Sequence, residues 1–338
     1  MRLLCSCLLA TSVAFAVSPE EITPTKKAPF VQPAEAARAE LHAAIKTFMA
    51  KEPGTFEAHA ASRDFPGAVE GKERVARTVA YDANLVHRWD TTNGGAPNLY
   101  TSPDVWQETG LYAAPGEVVI VKVASLPEHR TVKVIVGCHR DSLLKLPKWN
   151  RFPVIARTFE LKVGENKIAN AFGGQLFIQS SHKDWRKPMK ASPATPLQFS
   201  NAVAMPTYVL GKDTPESWAK AKQLPAPWVT LSGKQVILHV QASAVKELTD
   251  PKALLEWWDK SMALEDDLIA LRRLAPERVV PDRQISAGFM HSGYPFMCWI
   301  DPSQKDSVDL PKLMKEGNWG FFHELGHNHQ CSAWTFDG

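Results

Sequence analysis

Proline occupies 25 of the 338 positions and is spread along the whole chain. Each one fixes φ and removes a backbone donor, so long bundled helices are disfavoured and many short elements joined by loops are expected. With 44% hydrophobic and 22% charged residues the chain reads as globular, with length for about two domains. Lys and Arg exceed Asp and Glu by only 3 and form no long basic run, which argues against a nucleic-acid partner. Arg2, the apolar segment Leu3 to Phe15 and the small residues of Ala14-Phe15-Ala16 have the order of a signal peptide over residues 1–16. No later run approaches the ~18 apolar residues of a membrane span, so a secreted, periplasmic or cell-surface protein is expected. Cys138, Cys298 and Cys331 then remain, allowing at most one disulfide, for which Cys298–Cys331 is the first pair to test.

Residues 17–33 carry Pro19, Pro24, Pro29 and Pro33 among polar residues and read as a mobile, extended leader. Ala34 to Ala50 spaces Leu41, Ile45, Phe48 and Met49 for one amphipathic helix. Residues 51–99 give mixed signals and no assignable role. A β-rich block is expected over 100–196. Glu117 to Val123 and Thr131 to Val136 read there as paired strands, and further strands at 157–163, 167–172 and 175–179 suit an antiparallel β-sandwich. Gly173-Gly174 fits a bulge better than a ligand contact. Asp250 and Pro251 open the strongest helix, which should run to about Leu274. Leu254, Trp257, Leu264, Leu268 and Leu271 form one apolar stripe, and Leu255, Trp258, Met262 and Ile269 the next.

The chemistry is concentrated in His323-Glu324-Leu325-Gly326-His327. Histidines four apart on a helix lie about 40° from each other and one turn apart, so both imidazoles can reach one ion. Glu324, about 100° from His323, is placed as a general base for a metal-activated water rather than as a ligand. Trp319, Phe322 and Leu325 supply an apolar side on which the helix can be buried. His291 and Tyr294, in a Gly- and Pro-containing loop, are candidates to contact substrate or the developing oxyanion. His129, His139, His182 and His239 stand singly and receive no role.

These residues resemble the M60 family of zinc metallopeptidases, the enhancin-like or mucin-degrading group. The resemblance rests on HELGHNHQ with its Trp-Gly-Phe-Phe lead-in, on Trp334 to Gly338 after it and on His291 to Pro295 before it. Thr109 to Tyr112, Pro115 to Glu117 and Asn170 to Gly174 add the look of the family's β-rich amino-terminal part. It implies a gluzincin-like site with Zn2+ held by His323, His327 and a downstream Glu, and action on O-glycosylated, mucin-type glycoproteins or peptides. Only eleven residues follow His327 and none is Glu. His329 lies about 200° round the helix from His327, and Cys331 is ~12 Å of axial rise from His323. The third ligand is therefore expected beyond Gly338, with Asp337 as the one acidic substitute after the helix.

The expected architecture is α+β: a helical lead, an antiparallel sandwich, and from 197 to 338 an incomplete zincin-type metallopeptidase domain. The expected function is zinc endopeptidase. The alternative is a glycan- or glycoprotein-binding protein that carries an inactive protease remnant.

Overall fold

The computed structural model describes residues 17–89, 105–183, 191–269 and 272–330. The proposed signal peptide, Leu271, Cys331 and Asp337 lie outside the described residues.

The Pro-rich lead is tied down rather than mobile. Pro19–Glu21 form one 3-10 turn, the Pro19 carbonyl lies 3.0 Å from Nε2 of His59, and Ile22 is buried. Strand β1 (Phe30–Val31) pairs with Trp149 and Lys148, and Phe30 stacks on Trp149 with ring centroids 5.2 Å apart. A few apolar residues, each docked in its own slot, offset the ordering entropy that the composition alone made prohibitive. Helix α1 (Glu35–Ala50) follows as expected and buries Leu41, Ile45 and Phe48 beside Phe152 and Phe172.

Nine strands come next: β2 (Val75–Val79), β3 (Trp106–Ala113), β4 (Val119–Val123), β5 (Arg130–Val136), β6 (Lys148–Trp149), β7 (Arg157–Glu160), β8 (Gly164–Ile168), β9 (Gly174–His182) and β10 (Leu197–Ala204). Apart from β6, the partner of β1, they form one antiparallel sheet in the order β7-β5-β9-β3-β10-β4-β8, with β2 also on β10. Leu197 to Ser200 of β10 pair with β2 and β4, while Val203 and Ala204 pair with β3. Between these two stretches lies a bulge containing Asn201 at φ +59°, which lets one strand serve both layers of a sandwich. Val79, Val121 and Phe199 from one layer meet Val134, Leu176 and Ile178 from the other.

The structure corrects three sequence expectations here. The strands β4 and β5 do not pair with each other. Each finds other partners, and their valines meet face to face across the core. The sandwich begins at Val75, inside the stretch that carried no assignment, and continues through β10, past residue 196. The strand expected at 157–163 ends at Glu160, and Gly164, expected between strands, opens β8. Gly173 and Gly174 do have a backbone reason. Both have positive φ, and a Cβ on Gly174 would lie 2.6 Å from the Cα of Gly137.

The remaining elements are β11 (Thr207–Val209), α2 (Pro215–Ala221), β12 (Trp228–Ser232), β13 (Val236–Gln241), α3 (Lys252–Ile269), β14 (Glu277–Asp282), β15 (Met290–His291), β16 (Phe296–Trp299), α4 (Ile300–Val308), α5 (Leu310–Glu316) and α6 (Trp319–His327). Their strands form a mixed sheet, β11-β12-β13-β14-β16-β15, parallel at β11/β12, β13/β14 and β14/β16. Asp250 caps α3 by accepting from the Lys252 N–H at 2.9 Å. The helix is described to Ile269, short of Leu274. Leu254, Leu255, Trp258 and Met262 are buried, but Leu264 and Leu268 are exposed, so only one side of the two predicted stripes is covered.

Alternation along β14 sorts the two faces of this sheet. Val279 packs with α3, α5 and α6, whereas Val280 packs with Trp106, Ile135 and Phe177 of the sandwich. The motif helix and the sandwich thus lie on opposite faces of one sheet.

Candidate metal and catalytic site

Helix α6 starts at Asn318, whose side chain accepts from the Phe321 N–H at 3.3 Å. Phe321 and Leu325 are fully buried against Trp258 and Phe296, each contributing about 1.5–3 kcal/mol by leaving water. That burial turns His323 and His327 to the open side. Their Nε2 atoms converge to 3.1 Å, and Nδ1 of His327 lies 2.9 Å from Oε1 of Gln330. With Gln330 accepting from Nδ1–H, the lone pair of His327 sits on Nε2. Two Zn–N bonds of ~2.0–2.1 Å meeting near the tetrahedral angle would set their nitrogens about 3.3 Å apart, so the pair fits two corners of such a site. Among the described residues no group of three His, Cys, Asp or Glu side chains could hold a metal.

Glu324 is held beside the pair: its Oε2 accepts from the backbone N–H of Ser292 at 2.9 Å. The same loop is clamped by Asn328, which accepts from Gly293 N–H at 2.9 Å and donates to the Gly293 carbonyl at 3.0 Å. Asn328 also donates to Glu277 at 3.1 Å, and Arg88 and Arg273 pair with that carboxylate at 2.5 and 2.8 Å. Burial pushes the Glu277 carboxyl up, but the two guanidiniums more than offset this and keep it below its ordinary range. His329 faces away from the His323–His327 pair as its helical angle requires, with Nδ1 donating to the Leu325 carbonyl and Nε2 2.8 Å from Asp266.

His291 and Tyr294 lie in the expected loop but do not present the expected donors. His291 Nε2 is 2.9 Å from Oδ2 of Asp141, and its Nδ1 is 2.9 Å from the Ser292 carbonyl, so both nitrogens are committed. Burial lowers the His291 pKa, and the Asp141 hydrogen bond and the Ser292 carbonyl outweigh it, leaving the pKa raised. The Tyr294 hydroxyl accepts from Arg278 Nε at 2.7 Å and from the Trp106 N–H at 3.4 Å, at the sandwich side of the sheet. Cys298 is buried as a free thiol, while its suggested partner Cys331 is outside the described residues.

Residues 201–338 match the family described as peptidase M60, enhancin and enhancin-like, and residues 75–192 match the N-terminal domain of M60-like peptidases. The chain belongs to the M60 peptidase family. This M60 chain is 36% identical, over 68% of its length, to a TRPM8 channel-associated factor homolog of Xenopus laevis. It spans about a quarter of that relative, 25%. In fold it is similar to the ZmpB metallopeptidase from Clostridium perfringens, at TM-score 0.53 and 20% identity over 78% of this chain and 55% of the other. It is also similar to the M60 catalytic domain of ZmpC from the same organism, solved in complex with the sialyl T antigen, at TM-score 0.54 and 18% identity over 78% and 54%.

Sequence reasoning missed Asp141, Glu277 and Asn328 in the M60 site. Asn328 lay inside the quoted HNHQ run and could have been read as part of the site, whereas Asp141 and Glu277 reach it only through tertiary contacts.

Proposed function

We propose that this M60 chain forms part of an exported zinc metalloendopeptidase that hydrolyses peptide bonds in O-glycosylated, mucin-type glycoproteins. The observation that carries this reading is the convergence of two imidazole Nε2 atoms at 3.1 Å beside a carboxylate fixed by a backbone N–H. His323 and His327 would hold the zinc, with a third ligand from outside the described residues. Bound there, zinc would supply Lewis acidity and lower the pKa of a coordinated water to roughly 7. The protein's own part is proton handling. Ser292 occupies Oε2 of Glu324, which leaves Oε1 to accept a proton from water and later return it to the leaving amine. The family and its glycan-bound structural neighbour support the substrate class. Export rests on the order of residues 1–16.

Glu324→Gln in the protein containing this chain tests the assignment. Glycopeptide cleavage is expected to fall by at least ~100-fold with zinc content unchanged. Loss of zinc together with activity would make Glu324 a ligand instead. A second reading is favoured by the 36% identity to a protein named for association with a channel: a binding protein that retains the peptidase fold. Glycoprotein binding by the intact protein, unaffected by Glu324→Gln and without any cleavage, would select it.

A further inference from the structure

The loop that fixes Glu324 has little rigidity of its own. Strand β15 is two residues long, Gly288 and Gly293 have φ of +61° and +121°, and Phe289 between them is 52% exposed. A backbone donor on such a loop orients a carboxylate only as well as the loop itself is anchored. One anchor is Asn328 on the motif helix side. Pairing of β15 with β16 supplies a second, and a further anchor comes from the sandwich half of the molecule, in the segment that follows β5.

We propose that Asp141 is a positioning residue for the general base: by holding His291, it sets the backbone N–H of Ser292 against Oε2 of Glu324. The inference rests on the proposed role of Glu324 as base.

The chain of contacts is continuous. Asp141 Oδ2 lies 2.9 Å from Nε2 of His291 and accepts from the Ser286 N–H at 2.6 Å, so one carboxylate oxygen grips both ends of the loop's first half. His291 Nδ1 then donates to the Ser292 carbonyl at 2.9 Å, and the Ser292 N–H donates to Glu324 at 2.9 Å. Both nitrogens of His291 face acceptors, an arrangement in which the ring carries two N–H groups and holds the loop as a charged strut. Asp141 is itself braced. Its carbonyl accepts from Arg151 at 3.0 Å, and Arg151 forms a doubly hydrogen-bonded pair with Asp282, both contacts at 2.7 Å. These contacts connect the sandwich, through β14 and the loop, to the base. With Asp141 removed, a half-buried imidazole N–H loses its acceptor, and beyond the β15–β16 pairing Ser292 is steadied by the Asn328 clamp alone.

The experiment compares Asp141→Ala and Asp141→Asn with the wild-type protein in its zinc-loaded form. Zinc content, kcat and KM on an O-glycosylated peptide, and amide hydrogen exchange over residues 286–294 are measured. Asp141→Ala is expected to keep zinc and to leave KM within about twofold. It should lower kcat by ~10–100-fold and speed exchange at Ser292. Asp141→Asn still offers an oxygen to Nε2–H and should recover most of kcat and the slow exchange. Unchanged kcat in Asp141→Ala, or faster exchange with no change in kcat, would overturn the proposal. If the wild type itself turns nothing over, the peptidase reading fails and exchange at Ser292 alone decides the coupling. Faster exchange in the Ala variant, reversed in Asn, would keep the coupling, and no difference would remove it. Should Asp141→Ala fail to fold, His291→Gln reads the same link from the loop side and is expected to give the same pattern.

Discussion

The sandwich interior and the junction between the sandwich and the second sheet are equally dry but are built from different material. Inside the sandwich Val121, Val134, Leu176, Ile178 and Phe199 meet one another with no charge among them. At the junction, strand β14 presents the buried Arg278 and Asp282 to Glu108 and Arg151 from the first half of the chain, while its buried first residue, Glu277, holds Arg88 of that half from the face it shares with Val279. Apolar packing tolerates small shifts, because one methyl contact replaces another. A buried ion pair does not, because a displaced partner leaves an uncompensated charge. The first region chiefly supplies stability, and the second fixes the angle and register at which the two halves meet.

Glu277→Gln should produce the largest departure. It keeps the shape but leaves Arg88 and Arg273 sharing a neutral amide, and a loss of about 3–5 kcal/mol is expected in urea unfolding. A loss below 1 kcal/mol would show that the junction is as tolerant as the sandwich core.

Acid should come next. His139 lies between the rings of Phe65 and Trp228, and burial holds its pKa at about 4, with Asp282 pulling it up and Arg151 pushing it down. Its folded pKa is below its unfolded value near 6.5, so the unfolded chain takes the proton first. Stability is complete above that value and declines as the pH falls toward 4, by about 3 kcal/mol. His139→Asn should show a correspondingly flatter dependence when unfolding is followed at pH 7 and pH 4.

The smallest effect is expected from Ile178→Val in the sandwich core, about 1 kcal/mol by the same urea measurement. Costs of similar size for Ile178→Val and Glu277→Gln would dissolve the contrast.

What could be read from the sequence follows the same division. Helix α1, the Asp250 cap and the converging histidines of α6 depend on residues within a turn or two of each other, so spacing alone revealed them. Tertiary choices were hidden. Nothing local tells Val121 and Val134 to face each other across a core rather than to lie side by side in one sheet. Nothing near Asp141 signals that its partner stands 150 residues further on. The exposed Leu264 and Leu268 show the converse, since periodicity marks where a helix could be covered and not where it is.

The sharing of β10 between layers bears on how the chain can be dissected. The first family match ends at residue 192, five residues before a strand that hydrogen-bonds β2, β3 and β4. A fragment cut there would lose the only strand that β2 pairs with among the described residues and would bare the edges of β3 and β4, an invitation to edge-to-edge aggregation during recombinant production. Extending the fragment through Met205, whose N–H donates to the Gly110 carbonyl at 3.1 Å, would keep every rung of that ladder, so residue 206, rather than 193, is the place to begin separating the two halves.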